Sequence, residues 1–359
     1  MSLGGKQSLH PGVHEVHCSS MRQADKDTES WKRMVLRSMP KPAWLSEDAP
    51  HGDVVLSSRT RVMRNLRSHR FPNRANEEEL VQIMDAILGV AREVQPTLEI
   101  FKGLTNAERD FLVGCRLVSP DFEWTLPGRA FLVDTDRSIS LMVNEEDHLR
   151  IQALTAGWSL SNCNGACYAC LDSLEPRLHF AFSPEFGYLS ASPFNCGEGR
   201  RQSCMFHLIG LAHQRRLPSV IKALAAKGIA VRGLFGESSR AIGAYAQVSV
   251  IGGLRTEFAG ACEYLLNEER SARRSVGREM LLERAQKARD FALSSPVLSL
   301  ADSMRVLAWL RWAASDEIAG FQLSPRSADA ALTTLELRGP AREEQTGRQR
   351  ADLIRELVG

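Results

Sequence analysis

Apolar residues between positions 53 and 254 follow two periods, one typical of helices and one typical of strands. The run NEEELVQIMDAILGVAREV has apolar residues three or four positions apart, behind an asparagine cap and several acids, and predicts a helix. Short β-rich runs predict strands at VVLSS, RAFLVD, SISLMVN, LHFAFS and IAVRGLF. The pattern from CMFHLIGLAHQ to LPSVIKALAAKG predicts helix, with Gly228 suited to a C-terminal cap. This part of the chain is therefore expected to mix helices and strands.

The pattern changes on either side of this mixed region. After about residue 254 the strand signals end, and EFAGACEYLLNEERSARRSVGREMLLERAQKARDFAL has an apolar stripe of helical period among charges of both signs. SLADSMRVLAWLRWAASDEIAG continues the helices, with Ser299 or Asp302 as a cap, and the last residues predict a loop and a terminal helix. The N-terminal residues lack apolar periodicity and are expected to be flexible. We divide the chain into a leader (1–43), a mixed domain (44–254) and a helical domain (255–359).

The composition restricts the class of protein. The 359 residues are 43% hydrophobic and 25% charged, with a net charge of +2 and no long run of Lys or Arg, so the basic surface of a duplex nucleic-acid binder is missing. No window is apolar over the roughly 20 residues that a membrane helix needs. The N-terminus also lacks the apolar core of a secretory signal. We therefore expect a cytoplasmic protein with no nucleic-acid or membrane partner.

The eight cysteines are spaced irregularly and give no disulfide framework, so reduced thiols are expected. Cys163, Cys167 and Cys170 would share one face of a helix, where three thiols could suggest zinc. Structural zinc sites use four ligands from paired turns, so burial is the better interpretation. Trp309 and Trp312 are interpreted as core or dimer-interface aromatics.

Four segments concentrate charged residues and glycines beside predicted strands: SSRTRVMRN (57–65), VNEEDHLR (143–150), NCGEGRRQS (195–203) and VRGLFGES (231–238). Arg59 and Arg61 are two residues apart, so on an extended segment both guanidinium groups would face the same way and could bind successive phosphates. A solvated basic strand is the alternative for this pair.

Two of the other segments also allow two interpretations. GEGRRQS, before a predicted helix, could receive an anion at free backbone N–H groups or could be an ordinary turn. NEEDHLR is either an acidic cluster that faces a cation or the acidic first turn of a helix. The P-loop and dinucleotide-binding glycine motifs are absent, so a nucleotide would be bound mainly by arginines.

Together, these segments resemble the catalytic domain of the phosphagen (ATP:guanido) kinase family, and most closely its bacterial protein-arginine kinase branch, the McsB type. The resemblance extends from about Trp44 to the C-terminus and includes the order and spacing of SSRTRVMRN, RLVSP, NEEDHLRIQ, GYLSASPFN, RGLFGE and ERSAR. It implies an α+β fold, with an antiparallel sheet flanked by helices in the catalytic domain, followed by an all-α domain. As in that branch, the additional helical domain comes after the catalytic one.

The resemblance assigns roles to matching positions. Glu146 matches the acid that pairs with the substrate guanidinium, Glu145 is its neighbour, and Glu237 matches the second substrate-contacting carboxylate. A guanidinium has no free lone pair, so a carboxylate must align and deprotonate it before it attacks phosphorus. ATP would be bound by the remaining motif residues, which are Ser57, Ser58, Arg59, Thr60, Arg61, Arg116, Arg150, Arg201, Gln202, Ser203, Cys204, Met205, Arg232, Gly233 and Gly236. The implied cofactors are ATP and Mg²⁺, with the metal bound by phosphate oxygens and water rather than by a protein ligand.

Several positions depart from the family pattern. Ser192 stands where the family usually has cysteine, and Glu198 stands between two glycines where threonine is usual. An acid there would repel ATP unless it points outward or pairs with Arg200. Arg116 replaces a histidine near the adenine, where a planar guanidinium could still stack. Residues 346–351 lack the leading Arg-Asp pair of the branch's phosphoarginine-binding motif, so we assign no second site there.

The first hypothesis for the function is a kinase that transfers phosphate from ATP to arginine side chains of proteins, assembled as a homodimer through its helical domain. By resemblance, its partners would be arginine-bearing protein substrates, the Clp protease machinery and a small zinc-binding activator. The second hypothesis is a kinase for free arginine or another guanidino metabolite. The third, from another class, is a catalytically weak regulator that binds ATP or a partner.

Overall fold

The structure is a computed structural model of the chain and describes residues 41–234, 241–250, 255–337 and 342–359. Most of the expected leader and the site candidates Gly236 and Glu237 lie outside these described residues. The described part contains an antiparallel sheet flanked by helices, followed by helices only. The α+β fold predicted from the sequence is therefore confirmed.

The described strands are β1 (Val55–Arg64), β2 (Glu99–Phe101), β3 (Ala130–Val133), β4 (Ile139–Val143), β5 (Leu149–Ala156), β6 (Phe182–Ser183), β7 (Gly187–Tyr188), β8 (Arg200–His207), β9 (Ile229–Gly233) and β10 (Tyr245–Val250). Eight of them form one sheet in the order β2-β3-β4-β5-β1-β8-β10-β9, and β6 and β7 form a separate hairpin. All strand pairs in the large sheet are antiparallel. The long strand β1 lies near the middle, between β5 and β8.

The described helices are α1 (Glu77–Val94), α2 (Asn106–Gly114), α3 (Leu160–Leu174), α4 (Ile209–His213), α5 (Leu217–Ala225), α6 (Arg255–Val276), α7 (Arg278–Ser294), α8 (Leu300–Ser315), α9 (Pro325–Leu332) and α10 (Glu343–Val358). The side chains of Asn76 and Ser299 cap α1 and α8 at their N-termini, as the sequence predicts. Gly277, at a φ of 83°, separates α6 from α7. No helix in the described part combines the length and apolar character needed to cross a bilayer.

Two local predictions were wrong, and one of two open alternatives is excluded. Residues 204–207, assigned to a helix, belong to β8, and helix begins only at Ile209. Apolar residues buried on both faces of a strand give a continuous apolar run, which periodicity cannot distinguish from a helix. LHFAFS contributes only the two residues Phe182 and Ser183 to a strand. The NEEDH residues form the turn between β4 and β5, so the alternative of a helix N-terminus is excluded.

The two faces of the sheet bury different sets of helices. On one face Val62 packs with residues of α1 and α3, and Cys204 and Phe206 pack with residues of α5 and α6. On the other face Leu154 and Met205 belong to a core that includes α2 and the C-terminal helices α7 to α10. A continuous hydrophobic core therefore packs the helices after residue 254 against the sheet.

Buried arginines of the C-terminal helices also form hydrogen bonds with the segment that enters β1. Arg311 of α8 donates to Asp329 of α9 at 2.7 Å, and both side chains are 0% exposed. Arg311 also donates to the Asp53 carbonyl at 2.8 Å, and Arg326 donates to the Leu56 carbonyl at 3.0 Å. These bonds fix the start of β1, which carries the first candidate phosphate-binding residues.

The three cysteines of α3 are all buried, which confirms that part of the sequence interpretation. The Thr60 amide of β1 donates to the Cys163 sulfur at 3.1 Å, and burial raises the pKa of the Cys163 thiol to about 11. Within the described residues, no group of three His, Cys, Asp or Glu side chains could hold a metal ion. These thiols therefore serve the packing of α3 on the sheet.

Candidate active site

The hydrogen-bond register of the sheet brings the basic motifs to one face. Arg59 and Arg61 of β1 are two residues apart and point to the same side. Directly opposite Arg61 lie Arg201 of β8 and Gln152 of β5. Arg150 is two residues from Gln152 along β5 and so shares its side. Arginines from three separate motifs therefore stand side by side.

Strand β10 extends this row to the edge of the sheet. Gln247 pairs with Met205 of β8 on one side and with Arg232 of β9 on the other. Met205 is itself opposite Ser57 of β1. Since directly paired residues point to the same face, Arg232 joins the arginines of β1, β5 and β8.

A cavity of about 490 Å³ opens on this face, a size typical of small-ligand sites. Its walls come from the sheet, the turn between β4 and β5, the end of α2 and the end of α9. The charged residues that line it are Arg59, Arg61, Arg116, Arg150, Arg232, Asp121, Glu145 and Glu146. A Cβ built at Gly114 would lie 2.0 Å from the Thr333 carbonyl oxygen, so glycine is required where α2 meets the C-terminal helices.

Several guanidinium donors in the cavity wall are not paired with protein acceptors. Arg61 Nε, Arg116 Nη2 and Arg150 Nε are buried and have no hydrogen-bond partner among the described residues. A buried unpaired donor costs about 1–3 kcal/mol. Three such donors in one cavity wall fit an anionic group with several acceptor oxygens, such as a triphosphate.

The arginines also act on one another electrostatically. Burial lowers the pKa of Arg59, and the neighbouring Arg61, Arg116 and Arg150 lower it further. Burial, followed by Arg150 and Arg201, lowers the pKa of Arg61 in the same way. Since guanidinium groups stay protonated near neutral pH, the lowered pKa values report a strained group of cations. An anion in the cavity would relieve that strain.

The two glutamates of the β4–β5 turn differ in their surroundings. Glu145 accepts a hydrogen bond from Arg150 at 2.9 Å. Burial alone would raise the pKa of Glu145. The positive charge of Arg150 and the hydrogen bonds that Glu145 accepts together outweigh burial, so the pKa of Glu145 is lowered. Glu146 is exposed, and its pKa is raised by partial desolvation and by the neighbouring Asp147 and Glu145. Glu145 is thus an ion-pair partner, whereas Glu146 has the raised pKa that suits a proton acceptor.

Arg116 occupies the apolar end of the cavity. Burial lowers the pKa of Arg116 to about 10, and its guanidinium donates to the Ser57 hydroxyl. The guanidinium carbon lies 5.9 Å from the Trp44 ring centroid. Leu332 and Val118 also line the cavity, which therefore offers apolar surface and a planar cation to a bound group.

Asp147, next to Glu146, is fully buried and holds a neighbouring loop. Its carboxylate accepts hydrogen bonds from the Ala191 amide at 2.7 Å, the Ser190 hydroxyl at 2.8 Å and the Asn65 side chain at 2.6 Å. The loop that contains Ser192 is therefore tied to the turn that carries the glutamates.

The glycine turn before β8 is held from the opposite face of the sheet. Arg64 donates to the Glu198 carbonyl at 2.9 Å and lies 3.5 Å from the Tyr188 ring centroid. The Glu198 carboxylate pairs with Arg200 at 3.0 Å, one of the two arrangements expected to keep this acid from repelling a phosphate. Gly199, at a φ of 63°, has no room for a side chain, since a Cβ there would lie 2.6 Å from the Met63 carbonyl oxygen.

The structure does not bring all of the candidate residues to the cavity. Ser58, Thr60, Gln202 and Cys204 alternate with the arginines and lie on the opposite face of the sheet. Gly236 and Glu237 lie outside the described residues. The cavity also has lining residues that sequence reasoning did not identify, among them Trp44, Gln247, Leu332 and Thr333. The strand alternation of YAQVSV could have indicated Gln247, whereas nothing in the sequence connects α9 with this site.

In the C-terminal stretch 346–351, four residues are buried, whereas Arg348 is exposed. Arg350 is 2% exposed and donates to the Leu335 carbonyl, to Glu343 and to Glu336 at 2.7, 2.7 and 3.0 Å. A Cβ at Gly347 would lie 2.6 Å from Val297. Internal acceptors thus occupy the guanidinium of Arg350.

Comparison with known proteins gives consistent matches. Residues 79–255 match the family described as ATP:guanido phosphotransferase, C-terminal catalytic domain. The chain is 34% identical over 298 residues to a protein-arginine kinase of Symbiobacterium thermophilum, which spans 78% of this chain and 84% of that one. It is 37% identical over 258 residues to a protein-arginine kinase of Desulforamulus reducens, with 68% and 72% of the two chains covered.

Solved structures show the same fold at lower sequence identity. A lombricine kinase matches with a TM-score of 0.55 at 18% identity, over 66% of this chain and 72% of that one. A duplicated taurocyamine kinase from Schistosoma mansoni, with bound transition-state analogue components, matches with a TM-score of 0.54 at 20% identity, over 64% of this chain and 35% of that one.

Proposed function

The chain belongs to the ATP:guanido phosphotransferase family, and from that premise we propose that it transfers the γ-phosphoryl group of ATP to arginine side chains of proteins. The family supplies the reaction class, an ATP-dependent phosphorylation of a guanidinium. The names of the relatives, which match over most of their length, support the protein-bound arginine as the acceptor.

One observation carries the proposal: buried arginine donors and two glutamates line the same cavity. A triphosphate needs many positively charged donors, and a guanidinium needs a carboxylate. A site with only the arginines or only the glutamates would bind one substrate and could not transfer the phosphoryl group to the other. Here both sets lie within a single cavity of small-ligand size.

In the proposed reaction, the arginine residues Arg59, Arg61, Arg150, Arg201 and Arg232 bind the phosphates of ATP. Fixed cations stabilise the charge that spreads over the γ-phosphoryl oxygens during transfer, an effect worth about 10³–10⁵ in rate for an arginine finger. The apolar end with Arg116 and Trp44 would hold the base.

Glu146 is proposed as the proton acceptor. It takes a proton from the substrate guanidinium, whose nitrogen then bonds to the γ-phosphorus while the bond to the bridging oxygen breaks and ADP leaves. Glu145 holds Arg150 in place through its 2.9 Å ion pair. Glu237 is assigned to the second guanidinium contact by resemblance alone.

Mg²⁺ would neutralise phosphate charge when bound to ATP. Phosphate oxygens and water would supply the ligands of the metal. The described acids of the cavity that could contact its water shell are Asp121, Glu145 and Glu146.

The partners are proposed on the resemblance to bacterial protein-arginine kinases. We propose that the phosphorylated proteins are delivered to a Clp protease, that a small zinc-binding protein activates the kinase, and that the kinase is a homodimer. Sedimentation of the purified chain tests the dimer. Affinity capture with purified Clp ATPase, using phosphorylated and unphosphorylated casein as bait, tests the delivery.

The test of the proposed function compares acceptors. The chain is incubated with γ-labelled ATP, Mg²⁺ and either casein or free arginine, and the product is analysed by mass spectrometry. We expect acid-labile phosphate on arginine residues of casein. Label on free arginine alone would favour the metabolite kinase, and ATP binding with no transfer to either acceptor would favour the weak regulator.

A further inference from the structure

An unusually exposed aromatic surface lies in a stretch that is hydrogen-bonded to the candidate catalytic turn. Phe194, Phe182 and Phe186 are 77%, 59% and 57% exposed. Phe291, on α7, is the next large hydrophobic residue in the described part of the chain, at 47%. The three most exposed large apolar side chains of the described residues therefore fall within one stretch of thirteen residues, 182–194.

This stretch forms a single unit. Phe182 and Phe186 belong to the β6–β7 hairpin and its turn, and Phe194 lies in the short helical turn Pro193–Asn195. The hairpin is tied to the second residue after this turn, because the backbones of Tyr188 and Gly197 exchange hydrogen bonds of 2.8 and 3.1 Å. The hairpin and the turn are therefore presented together.

The same unit is anchored to the candidate catalytic turn. Asp147, which follows Glu146 in the chain, accepts a hydrogen bond from the Ala191 amide at 2.7 Å. Phe194 is three residues beyond Ala191 and Glu146 is one residue before Asp147, and successive Cα atoms are about 3.8 Å apart, so the path through this hydrogen bond places the Phe194 Cα within about 23 Å of the Glu146 Cα.

The unit is also rigidly backed. The Tyr188 ring stacks on the Arg64 guanidinium, with 3.5 Å between the guanidinium carbon and the ring centroid. The Tyr188 hydroxyl donates to Glu175 at 2.5 Å. A preordered aromatic surface loses little conformational entropy when it binds a partner.

We propose that Phe182, Phe186 and Phe194 form a docking surface for the apolar residues that flank the target arginine in a polypeptide substrate. The inference rests on the proposed function, because only an arginine within a polypeptide brings flanking residues to this surface. An extended substrate covers about 3.3–3.6 Å per residue, so residues up to about six or seven positions from the arginine can reach Phe194. The surface therefore selects arginines with apolar neighbours over arginines in polar sequences.

The test uses two synthetic peptides of equal length and equal charge, each with one central arginine, flanked by leucines in one and by serines in the other. The kcat/KM for phosphorylation is measured for the wild-type chain, Phe194→Ala, and the double variant Phe182→Ala with Phe186→Ala. Phe291→Ala, which truncates an exposed phenylalanine of α7, is the matched control.

We expect the wild-type chain and the control to prefer the leucine peptide by about tenfold, as burial of one phenylalanine side chain permits. Phe194→Ala should lose most of this preference through a higher KM for the leucine peptide. Its KM for ATP, its activity on the serine peptide and its thermal stability should not change, since the side chain is exposed.

The result that overturns the docking surface is equal use of both peptides by the wild-type chain, or a preference that survives in both phenylalanine variants. If the wild-type chain phosphorylates neither peptide but does phosphorylate free arginine, the protein acceptor itself is wrong, and the docking surface falls with it.

Discussion

Replacing Arg59 by methionine should separate two effects of one buried cation. Arg59 is 9% exposed, and its guanidinium donates only to neutral groups among the described residues, the Ser203 hydroxyl at 3.3 Å and the Gln247 side chain at 2.6 Å. Burial and three neighbouring arginines lower its pKa. In the absence of an anion, the charge therefore destabilises the folded chain, whereas in the presence of ATP it contributes to binding.

The two effects have opposite signs and measurable sizes. Methionine keeps much of the side-chain volume without the charge, and replacing buried ions by apolar residues is often stabilising by about 1–4 kcal/mol. A gain near the lower end, about 1–2 kcal/mol, is expected for the ligand-free chain because Arg59 keeps two hydrogen bonds there. With ATP, loss of a charge-assisted hydrogen bond worth about 1.5–3 kcal/mol should raise the Kd roughly 10- to 150-fold.

Urea unfolding with and without saturating ATP measures both effects, because a ligand stabilises by RT ln(1 + [L]/Kd). Arg305→Met, at an exposed position of α8, is the control and should change neither. A lower stability of ligand-free Arg59→Met, together with unchanged stabilisation by ATP, would refute the view that this face is a strained, preformed anion site.

Three further changes test other parts of the structure. Gly114→Ala places a Cβ 2.0 Å from a backbone carbonyl at the end of α9. It should therefore destabilise the chain by about 1–3 kcal/mol in urea unfolding and weaken ATP binding, and unaltered unfolding and binding would count against this contact. Arg311→Met breaks a fully buried ion pair and should cost about 3–5 kcal/mol of unfolding free energy, and a neutral effect would show that the pair is dispensable. The raised pKa of Glu146 predicts that kcat falls as the pH decreases through a value above 4.5. Glu145→Gln removes a negative neighbour, so this fall in kcat should move to lower pH, and a fall that does not move would argue against Glu146 as the titrating base.

Much of the site could be predicted because it depends on short-range strand geometry. The spacing of Arg59 and Arg61 fixes a common direction once the segment is extended, and β1 is extended. The acids of NEEDH follow an apolar strand, and the structure places them in the turn at the cavity. In both cases the positions of the side chains are defined by residues that are close together in the sequence.

Other features depend on contacts that no local pattern encodes. Cys204 to His207 lie in a buried strand, and their apolar run also fits a helix. The sequence therefore could not show that Arg201 lies on a strand rather than before a helix. Leu332 and Thr333 reach the cavity only because the C-terminal helices share a core with the sheet. Side chains of a strand alternate between the two faces of the sheet, so every second residue of a motif, such as Thr60, faces away from the cavity. A complete motif therefore predicts more site residues than reach the cavity.

The most direct measurement on the site is phosphate transfer from ATP to casein by the wild-type chain and by Glu146→Gln, with the Kd for ATP determined in parallel. Glutamine keeps the size of the side chain but cannot accept the proton, so transfer to arginine should fall by about 10²–10⁴, the usual contribution of a general base, while the Kd for ATP stays within about threefold. Undiminished arginine phosphorylation by Glu146→Gln, or wild-type product found only on hydroxyl side chains, would contradict the proposed site and its chemistry.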